Sequence, residues 1–336
     1  MDFSLSEEQS MLVSSCERLV RERCTFEARR RDVRADPATP PPAWGDMVEL
    51  GLAALCVPAS AGGLGLAPID AALVAQALGG GWLLEPYVDS ALAAAATLAA
   101  APASAARDAA LQRVAAGAIV VPLREATYEG GALRAASPHA AYAESLLAFV
   151  DGRLLLFAAA ATSRRAYRQF DGTSAAHVEA AAAEGVALAQ GDAAERAWRA
   201  GAMLSTIGRV AEGVGLARTV VAVTTDYLRT RKQFGQPIGR FQVLAHRTAD
   251  MLILLEQAQS LAWAAAMNRD ERTIDAAQVM AHRALRTIGQ QAVQLHGGIG
   301  MADETPVSHY VKRLLGIEIE LGDVDTVLTR FSRRES

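Results

Sequence analysis

The residues with the clearest potential for chemistry lie in two segments of the C-terminal third. The first, YLRTRKQFGQ, contains Arg231 and Phe234; the second, QLHGGIG, contains Gln294, Gly297 and Gly298. Arginine carries a permanent charge and a planar fork of donors that suits phosphate oxygens. Glycine lets backbone N–H groups approach a ligand closely, because it has no Cβ. Taken alone, each segment also has a simpler interpretation, as a charge near a helix end and as a helix stop.

Long helices must position both segments. From about residue 193, apolar residues follow one another in steps of four and three, which predicts one buried helical stripe. The stripe consists of Met203, Ile207, Val210, Val214, Ala217, Val221, Thr224 and Leu228. A second long helix is predicted over 244–267, a third over 274–295, and a shorter fourth after the glycine pair. Four such helices predict an antiparallel bundle.

The rest of the chain divides into a helical part and a short β part. Ser6 and Gln9 form a capping-box pattern ahead of the first helix, and further helices are predicted over 44–52 and 69–78. Apolar runs over 118–123, 146–150 and 153–158 predict strands, with a weaker strand over 177–182. Asp151-Gly152 between two of these runs predicts a hairpin, and Asp171-Gly172 a second turn. We therefore expect domains at 1–117, 118–190 and 191–336.

Composition limits the functional classes. With 51% hydrophobic and 21% charged residues among 336, the chain can bury a large core. A net charge of −4 gives no general reason to expect a nucleic-acid or membrane partner. The three cysteines lack metal-site spacing, and we expect no metal. No signal-peptide pattern opens the sequence, and the alanine-rich stretch 91–106 favours a helix of a soluble protein, so a cytoplasmic location is predicted.

Three segments together resemble the acyl-CoA dehydrogenase family: LGLAALCVPASAGGLGL at 50–66, YLRTRKQFGQPIGRFQVLAHRTADM at 227–251, and QLHGGIGMADETPV at 294–307. The resemblance implies a mainly α fold with a small middle β domain and a C-terminal four-helix bundle. It also implies FAD bound across a subunit interface, where one chain holds the diphosphate and adenine end of a flavin whose ring the other chain holds. We call the part that holds the diphosphate and adenine end of the partner's FAD the lending half-site. The positions implied for it are Arg231, Phe234, Ile238, Phe241, Gln294, Gly297 and Gly298.

The catalytic base of the resembled family has no counterpart at either expected position. Most members carry a glutamate after the glycine loop, where the ungapped equivalent here is Leu321; a minority carry it on the preceding long helix, where the equivalent is Ser205. Neither side chain can act as a carboxylate base. Glu320 is the best substitute by position, and the other nearby carboxylates are Glu318, Asp323 and Glu212.

Segments that line the flavin ring in the family are also not recognisable between residues 118 and 190, and Thr206 replaces an arginine common in the family. The chain thus keeps the residues that would bind the diphosphate and adenine end of a partner's FAD. It lacks the residues that would bind a flavin ring of its own and the base that would act beside it. This pattern favours the non-base subunit of a heteromeric, α2β2 acyl-CoA dehydrogenase that desaturates a CoA thioester, with a bulky, steroid-like acyl group as one option. A sister subunit, an acyl-CoA substrate and a flavin electron acceptor are then the expected partners. The alternatives are a homomeric flavoenzyme that uses Glu320 and a non-enzymatic scaffold.

Overall fold

The computed structural model describes residues 4–333, which fall into two units. The first unit comprises Met1–Phe26, Ala72–Leu83 and Thr206–Ser336, and the second comprises Glu27–Ala71 and Leu84–Ser205. The helices are α1 Glu7–Arg23, α2 Phe26–Arg34, α3 Ala43–Glu49, α4 Pro68–Gly79, α5 Ala95–Ala100, α6 Ala105–Ala115, α7 Asp192–Thr230, α8 Gln242–Asn268, α9 Glu271–His296, α10 Pro306–Glu320 and α11 Val324–Arg333.

The strands of the second unit form two sheets. They are β1 Val120–Pro122, β2 Thr127–Glu129, β3 Ala132–Pro138, β4 Ser145–Val150, β5 Arg153–Ala158, β6 Ser163–Arg168, β7 Ser174–Ala181 and β8 Val186–Gln190. One sheet has the order β1-β4-β5-β8 and the other the order β2-β3-β7-β6. The β1–β4 pair is parallel and the remaining pairs are antiparallel. Helices with a small β region between them confirm the predicted fold class.

Local signals in the sequence specify several of these elements. The capping box ahead of α1 is confirmed: the Gln9 N–H donates to Ser6 Oγ and the Ser6 N–H to Gln9 Oε1, both at 3.1 Å. The predicted Asp151-Gly152 hairpin joins β4 to β5, with φ angles of 48° and 67°. Positive φ at both central residues gives the turn whose twist matches that of the strands.

The alanine-rich stretch differs from the single helix that its composition predicts. Residues Tyr87–Ala94 form a π-helix, in which every residue is buried, and α5 continues from it. The chain then leaves the helical conformation and α6 starts after Ser104, whose Oγ accepts from the Arg107 N–H at 3.2 Å. Pro102 explains the break, because it cannot donate the hydrogen bond that an uninterrupted helix requires there.

The C-terminal bundle of the first unit is built around α9, which packs against α8, α10 and α11. Near its middle, α7 approaches α9 closely at Gly213, where an added Cβ would lie 2.8 Å from Leu285 Cδ1. Further contacts between α7 and α9 involve their C-terminal ends, where the predicted cofactor residues lie. Across residues 4–333, no helix combines the length and apolar character needed to cross a bilayer.

Candidate functional site

The first predicted segment is a hairpin at the end of α7. Strands β9 Lys232–Gln233 and β10 Gln236–Pro237 pair antiparallel around Phe234 and Gly235, whose φ angles are 52° and 79°. The Ile238 N–H donates to the Arg231 carbonyl at 2.9 Å and closes the hairpin. Arg231 is exposed. The hairpin therefore holds the backbone of Arg231 while its guanidinium side chain faces solvent.

Aromatic side chains flank this hairpin. Phe234 is 90% exposed, although removing a phenyl ring from water is favourable and phenylalanine is among the residues most often buried. Its ring meets the half-buried ring of Phe241 edge-on at a centroid distance of 6.0 Å. Ile238 is also half-buried. An exposed phenylalanine on a backbone with positive φ is unusual for a free surface, since both burial and strain oppose it.

The second predicted segment is the end of α9. Gln294, Gly297 and Gly298 are all exposed, and Gly297 has a φ of 64°. A Cβ added to either glycine would meet no atom within 4 Å. The glycines thus leave an open approach to the backbone at the end of the helix, which is the property expected of a loop that contacts a cofactor.

A stacked pair of rings joins the two segments. The Tyr227 ring lies 4.4 Å from the His296 ring, with an interplanar angle of 23°, and the Tyr227 hydroxyl donates to the His296 carbonyl at 3.4 Å. Tyr227 lies one helical turn before Arg231, and His296 directly precedes Gly297. Burial lowers the pKa of His296, opposed by its hydrogen bond with the Ala292 carbonyl. A neutral imidazole therefore links the two segments near pH 7.

The expected base positions carry no free carboxylate. Leu321 is buried, and its carbonyl accepts a hydrogen bond from the Gln278 amide. Ser205 is half-buried, and its Oγ accepts from Arg124 Nη2 at 3.2 Å. Arg124 follows β1, and the sequence patterns gave no sign that it would meet Ser205. Each position is thus engaged in contacts of its own.

Glu320, the best substitute by position, belongs to a buried group of four charges. Its Oε1 lies 2.7 Å from Arg313 Nη1, and its Oε2 lies 2.7 Å from Arg209 Nε. Glu212 completes the group, because its Oε2 lies 2.7 Å from Arg209 Nη1 and its Oε1 lies 2.7 Å from Arg313 Nη2. We call these four residues the charge quartet. Its two positive and two negative charges balance, and the arginines are 1–2% exposed.

The remaining substitutes are also engaged. Glu318 Oε1 accepts from Arg286 Nε at 2.7 Å and lies 3.8 Å from His282 Nδ1. Asp323 Oδ2 accepts from the Thr326 N–H at 2.9 Å and from its hydroxyl at 2.7 Å, which lowers the pKa of Asp323. Asp323 is therefore a helix cap, and Glu318 belongs to a separate ion pair. Proton uptake by Glu318 would weaken a contact between α9 and α10, and proton uptake by Asp323 would weaken the cap of α11.

Comparisons with known proteins show the family to which the chain belongs. The model of the acyl-CoA dehydrogenase N-terminal domain matches residues 6–118, and that of the acyl-CoA dehydrogenase C-terminal domain matches residues 196–334. The acyl-CoA dehydrogenase IpdE2 of Mycobacterium tuberculosis is 30% identical over 315 residues, which cover 92% of each chain. The human mitochondrial short-chain specific acyl-CoA dehydrogenase is 34% identical over 113 residues, or 32% of this chain and 27% of that protein.

Solved structures show the same fold. A chain of the ChsE4-ChsE5 complex from Mycobacterium tuberculosis superposes with a TM-score of 0.86 at 24% identity, covering 99% of this chain and 98% of that one. The Tcur3481-Tcur3483 steroid ACAD gives a TM-score of 0.87 at 22% identity, with 98% of both chains covered. The butyryl-CoA dehydrogenase of Megasphaera elsdenii gives 0.83 at 18% identity, with 99% of both covered.

Proposed function

Because the chain belongs to the acyl-CoA dehydrogenase family of flavin-dependent oxidoreductases acting on CH–CH bonds, we propose that it is the non-base subunit of a heteromeric member. The complete enzyme desaturates the α,β bond of a CoA thioester. This chain contributes the half-site for the diphosphate and adenine end of FAD, and a sister subunit contributes the base and the flavin face.

The observation that carries the proposal is the contrast between the two half-sites. Glu320 and Glu212, the carboxylates closest to the two base positions along the chain, are each paired with both arginines of the charge quartet. A general base needs a carboxylate whose lone pair reaches the proton of the substrate. At the other half-site, Arg231, Gln294 and the two glycines are exposed. The carboxylates near the base positions are therefore engaged in internal ion pairs, whereas the residues proposed to bind the diphosphate of FAD are accessible.

The open half-site suits the cofactor of the family. FAD carries a diphosphate, and an exposed guanidinium with a glycine loop whose backbone is open provides both charge and N–H donors for phosphate oxygens. Arg231 would hold the diphosphate, Gly297 and Gly298 would admit it to the backbone, and Phe234 would cover the adenine end. When bound, FAD supplies the acceptor for the hydride that leaves the β-carbon of the acyl group.

The relatives support a heteromer and a large acyl group. The two solved structures with TM-scores of 0.86 and 0.87 are a ChsE4-ChsE5 complex and a Tcur3481-Tcur3483 steroid ACAD. On this chain, the 90% exposed Phe234 fits a residue that a partner subunit or its cofactor covers. We therefore propose a sister acyl-CoA dehydrogenase chain as the partner, a flavin electron acceptor as the oxidant, and a steroid-like acyl-CoA as the substrate.

The first test compares the chain alone with the chain co-expressed with a neighbouring acyl-CoA dehydrogenase gene product. We expect the isolated chain to bind FAD weakly and to oxidise no acyl-CoA, since it lacks a base. The co-purified complex is expected to retain FAD and to reduce an artificial electron acceptor. Stoichiometric FAD together with turnover in the isolated chain would contradict the proposal and favour a homomeric enzyme.

The second test is Arg231→Ala in the complex. One charge-assisted hydrogen bond contributes about 1.5–3 kcal/mol, so FAD retention should weaken roughly 10- to 150-fold. The matched control is Arg229→Ala, which removes another exposed arginine from the same helix end. FAD release is measured by fluorescence, with circular dichroism to verify folding. Equal release from both variants would show that Arg231 is an ordinary charge at a helix end.

A further inference from the structure

A cavity of about 340 Å³ lies within the first unit. It is bordered by α1, α4, α7 and α8, and its described lining contains no residue of the lending half-site. Part of the apolar surface comes from Val20, Leu73 and Trp263. The charged groups of the lining are Glu17, Arg21 and Arg218. A concave, mainly apolar surface with a few polar groups is the usual form of a site for a small organic ligand.

The cavity lies beside a close crossing of α4 and α7. A Cβ added to Gly215 would lie 1.9 Å from the Gln76 carbonyl oxygen, and one added to Gly79 would lie 2.3 Å from the Glu212 carbonyl oxygen. Only glycine lets the two backbones approach so closely. Two helices that touch at a crossing diverge on either side of it, and the space that opens beside this crossing is bordered by α1 and α8. The cavity thus follows from the packing of the helices.

A pair of side-chain amides orients two residues of the lining. Gln76 and Gln259 pair reciprocally, and both N–H···O distances are 2.8 Å. Gln76 Oε1 also accepts from Trp263 Nε1 at 3.1 Å, and Gln259 Oε1 also accepts from Arg218 Nη2 at 2.9 Å. Gln259 is buried, so its position is fixed by the surrounding helices. The amide pair therefore holds the ring of Trp263 and the guanidinium of Arg218 in defined orientations at the cavity.

Arg218 keeps donors for a ligand. It has five N–H groups, and its bond to Gln259 uses one of them. Among the residues that the structure describes, its Nε and Nη1 atoms have no partner, and its side chain is 50% exposed. Glu256 Oε1 lies 3.7 Å from Arg218 Nη2, but the Glu256 side chain is 63% exposed, and water largely screens such a pair. Arg218 thus presents an oriented guanidinium with unused donors.

Helix α1 contributes one charge of each sign. Glu17 and Arg21 are four residues apart, and both are exposed. Within residues 4–333, neither side chain takes part in an ion pair, so both charges remain available at the cavity. Two guanidiniums against one carboxylate give the lining an excess of one positive charge. An anionic head group is therefore favoured over a neutral or a cationic one.

We propose that this cavity binds a small apolar monocarboxylate, with the carboxylate at Arg21 and Arg218 and the apolar body against Leu73 and Trp263. The planar fork of arginine matches the geometry of a carboxylate, and an apolar body gains free energy by leaving water. An apolar cavity of about 150 Å³ holds benzene, so this cavity accommodates roughly ten to fourteen non-hydrogen atoms. Binding requires neither FAD nor the sister subunit, and the inference therefore goes beyond the proposed function.

Titration calorimetry on the full-length chain tests this site with octanoate, 1-octanol and octylammonium. The three ligands share one apolar chain length and differ in the charge of the head group. We expect octanoate to bind about tenfold more tightly than octanol, which is the effect of one hydrogen bond to a charged donor, and octylammonium to bind most weakly. Octanoate should also change the tryptophan fluorescence, and Trp263→Phe should remove that change, because Trp263 lies in the lining.

Charge variants locate the effect. Arg218→Gln should weaken octanoate binding about tenfold, and Arg21→Gln should weaken it less, because no other side chain orients Arg21. Glu17→Gln removes the opposing carboxylate, so it should tighten the binding of octanoate and weaken that of octylammonium. The matched control is Arg18→Gln, which removes an exposed arginine of α1 outside the lining and should change neither affinity. Circular dichroism verifies that each variant folds.

Four results would overturn the inference. They are equal affinity for the three head groups, no binding of octanoate, a preference for octanoate that survives in the double variant Arg21→Gln with Arg218→Gln, and an equal loss in Arg18→Gln. The last result would show a general effect of surface charge. Because no sister subunit or FAD is present, these results are independent of whether the heteromer forms.

Discussion

Glu320→Gln is the substitution that best separates a structural carboxylate from a catalytic one. Glu320 contacts both arginines of the charge quartet at 2.7 Å, and Arg209 and Arg313 are 2% and 1% exposed. Glutamine keeps the shape but removes the charge, so two buried guanidiniums would then share the single carboxylate of Glu212. The balance of the quartet changes from neutral to one uncompensated positive charge.

The loss of stability expected for Glu320→Gln follows from the burial of the two arginines. Removing one partner of a buried ion pair costs about 3–5 kcal/mol, because the remaining charge is left desolvated. Glu195→Gln is the matched control on α7, since Glu195 pairs with Arg199 at 2.7 Å and both side chains are more than half exposed. Exposed pairs of this spacing contribute about 0.3–0.5 kcal/mol. The loss in free energy of unfolding should therefore be much larger for Glu320→Gln than for Glu195→Gln.

Urea unfolding followed by tryptophan fluorescence measures this difference. The midpoint for Glu320→Gln should fall clearly below that for Glu195→Gln. The double variant Glu320→Gln with Arg209→Gln restores charge balance, so its loss of stability should be smaller than the sum of the two single losses. A Glu320→Gln protein as stable as the Glu195→Gln control would refute the structural role of the quartet and return Glu320 to consideration as the base.

Two further predictions concern the end of α9. Gly298→Ala should leave the melting temperature unchanged, because an added Cβ meets nothing within 4 Å, yet it should weaken FAD retention in the complex; unchanged retention would contradict the role of the loop. Burial lowers the pKa of His296 in the folded protein, so the unfolded chain binds a proton at this residue more readily than the folded chain does. The free energy of unfolding should therefore fall as the pH drops from about 6.5, the value for the unfolded chain, toward the lower pKa of the folded protein. Melting temperatures between pH 7.5 and 5 should decline less in His296→Gln than in the wild type, and parallel curves would exclude this contribution.

Elements with local signals were predictable from the sequence. Ser6 and Gln9 specify the start of α1, and Asp151-Gly152 specifies a hairpin, because both depend on contacts between residues near in sequence. The strands β2, β3 and β6 gave no comparable signal. β2 has only three residues, and the segments of β3 and β6 are rich in alanine and arginine, which have little strand preference. The sheet forms through pairing between distant residues such as Ala135 with Val178.

The candidate site was predictable only in part. The family motifs identify Arg231 and the glycines as candidates, but their role in binding FAD stays a prediction, as do the domain boundaries and the cytoplasmic location. No sequence pattern pairs Glu212 with Arg313, which lie 101 positions apart. Similarly, Arg124 and Ser205 are separated by 81 positions. Contacts of this kind depend on how helices and strands pack, and helical or strand periodicity carries no information about them.

The π-helix also fixes the number of residues between two anchored points. Asp89 is held by Arg124 at one end of the segment, and Thr97 lies against Gly201 at the other, where an added Cβ would be 1.9 Å from the Thr97 hydroxyl. A π turn accommodates one residue more than an α turn, and each residue of an α-helix turns the chain by roughly 100°. Deleting a single alanine from Ala93–Ala95 would therefore swing Asp89 away from Arg124 or Thr97 away from Gly201. Relatives that share this geometry should keep the segment between these two points at constant length.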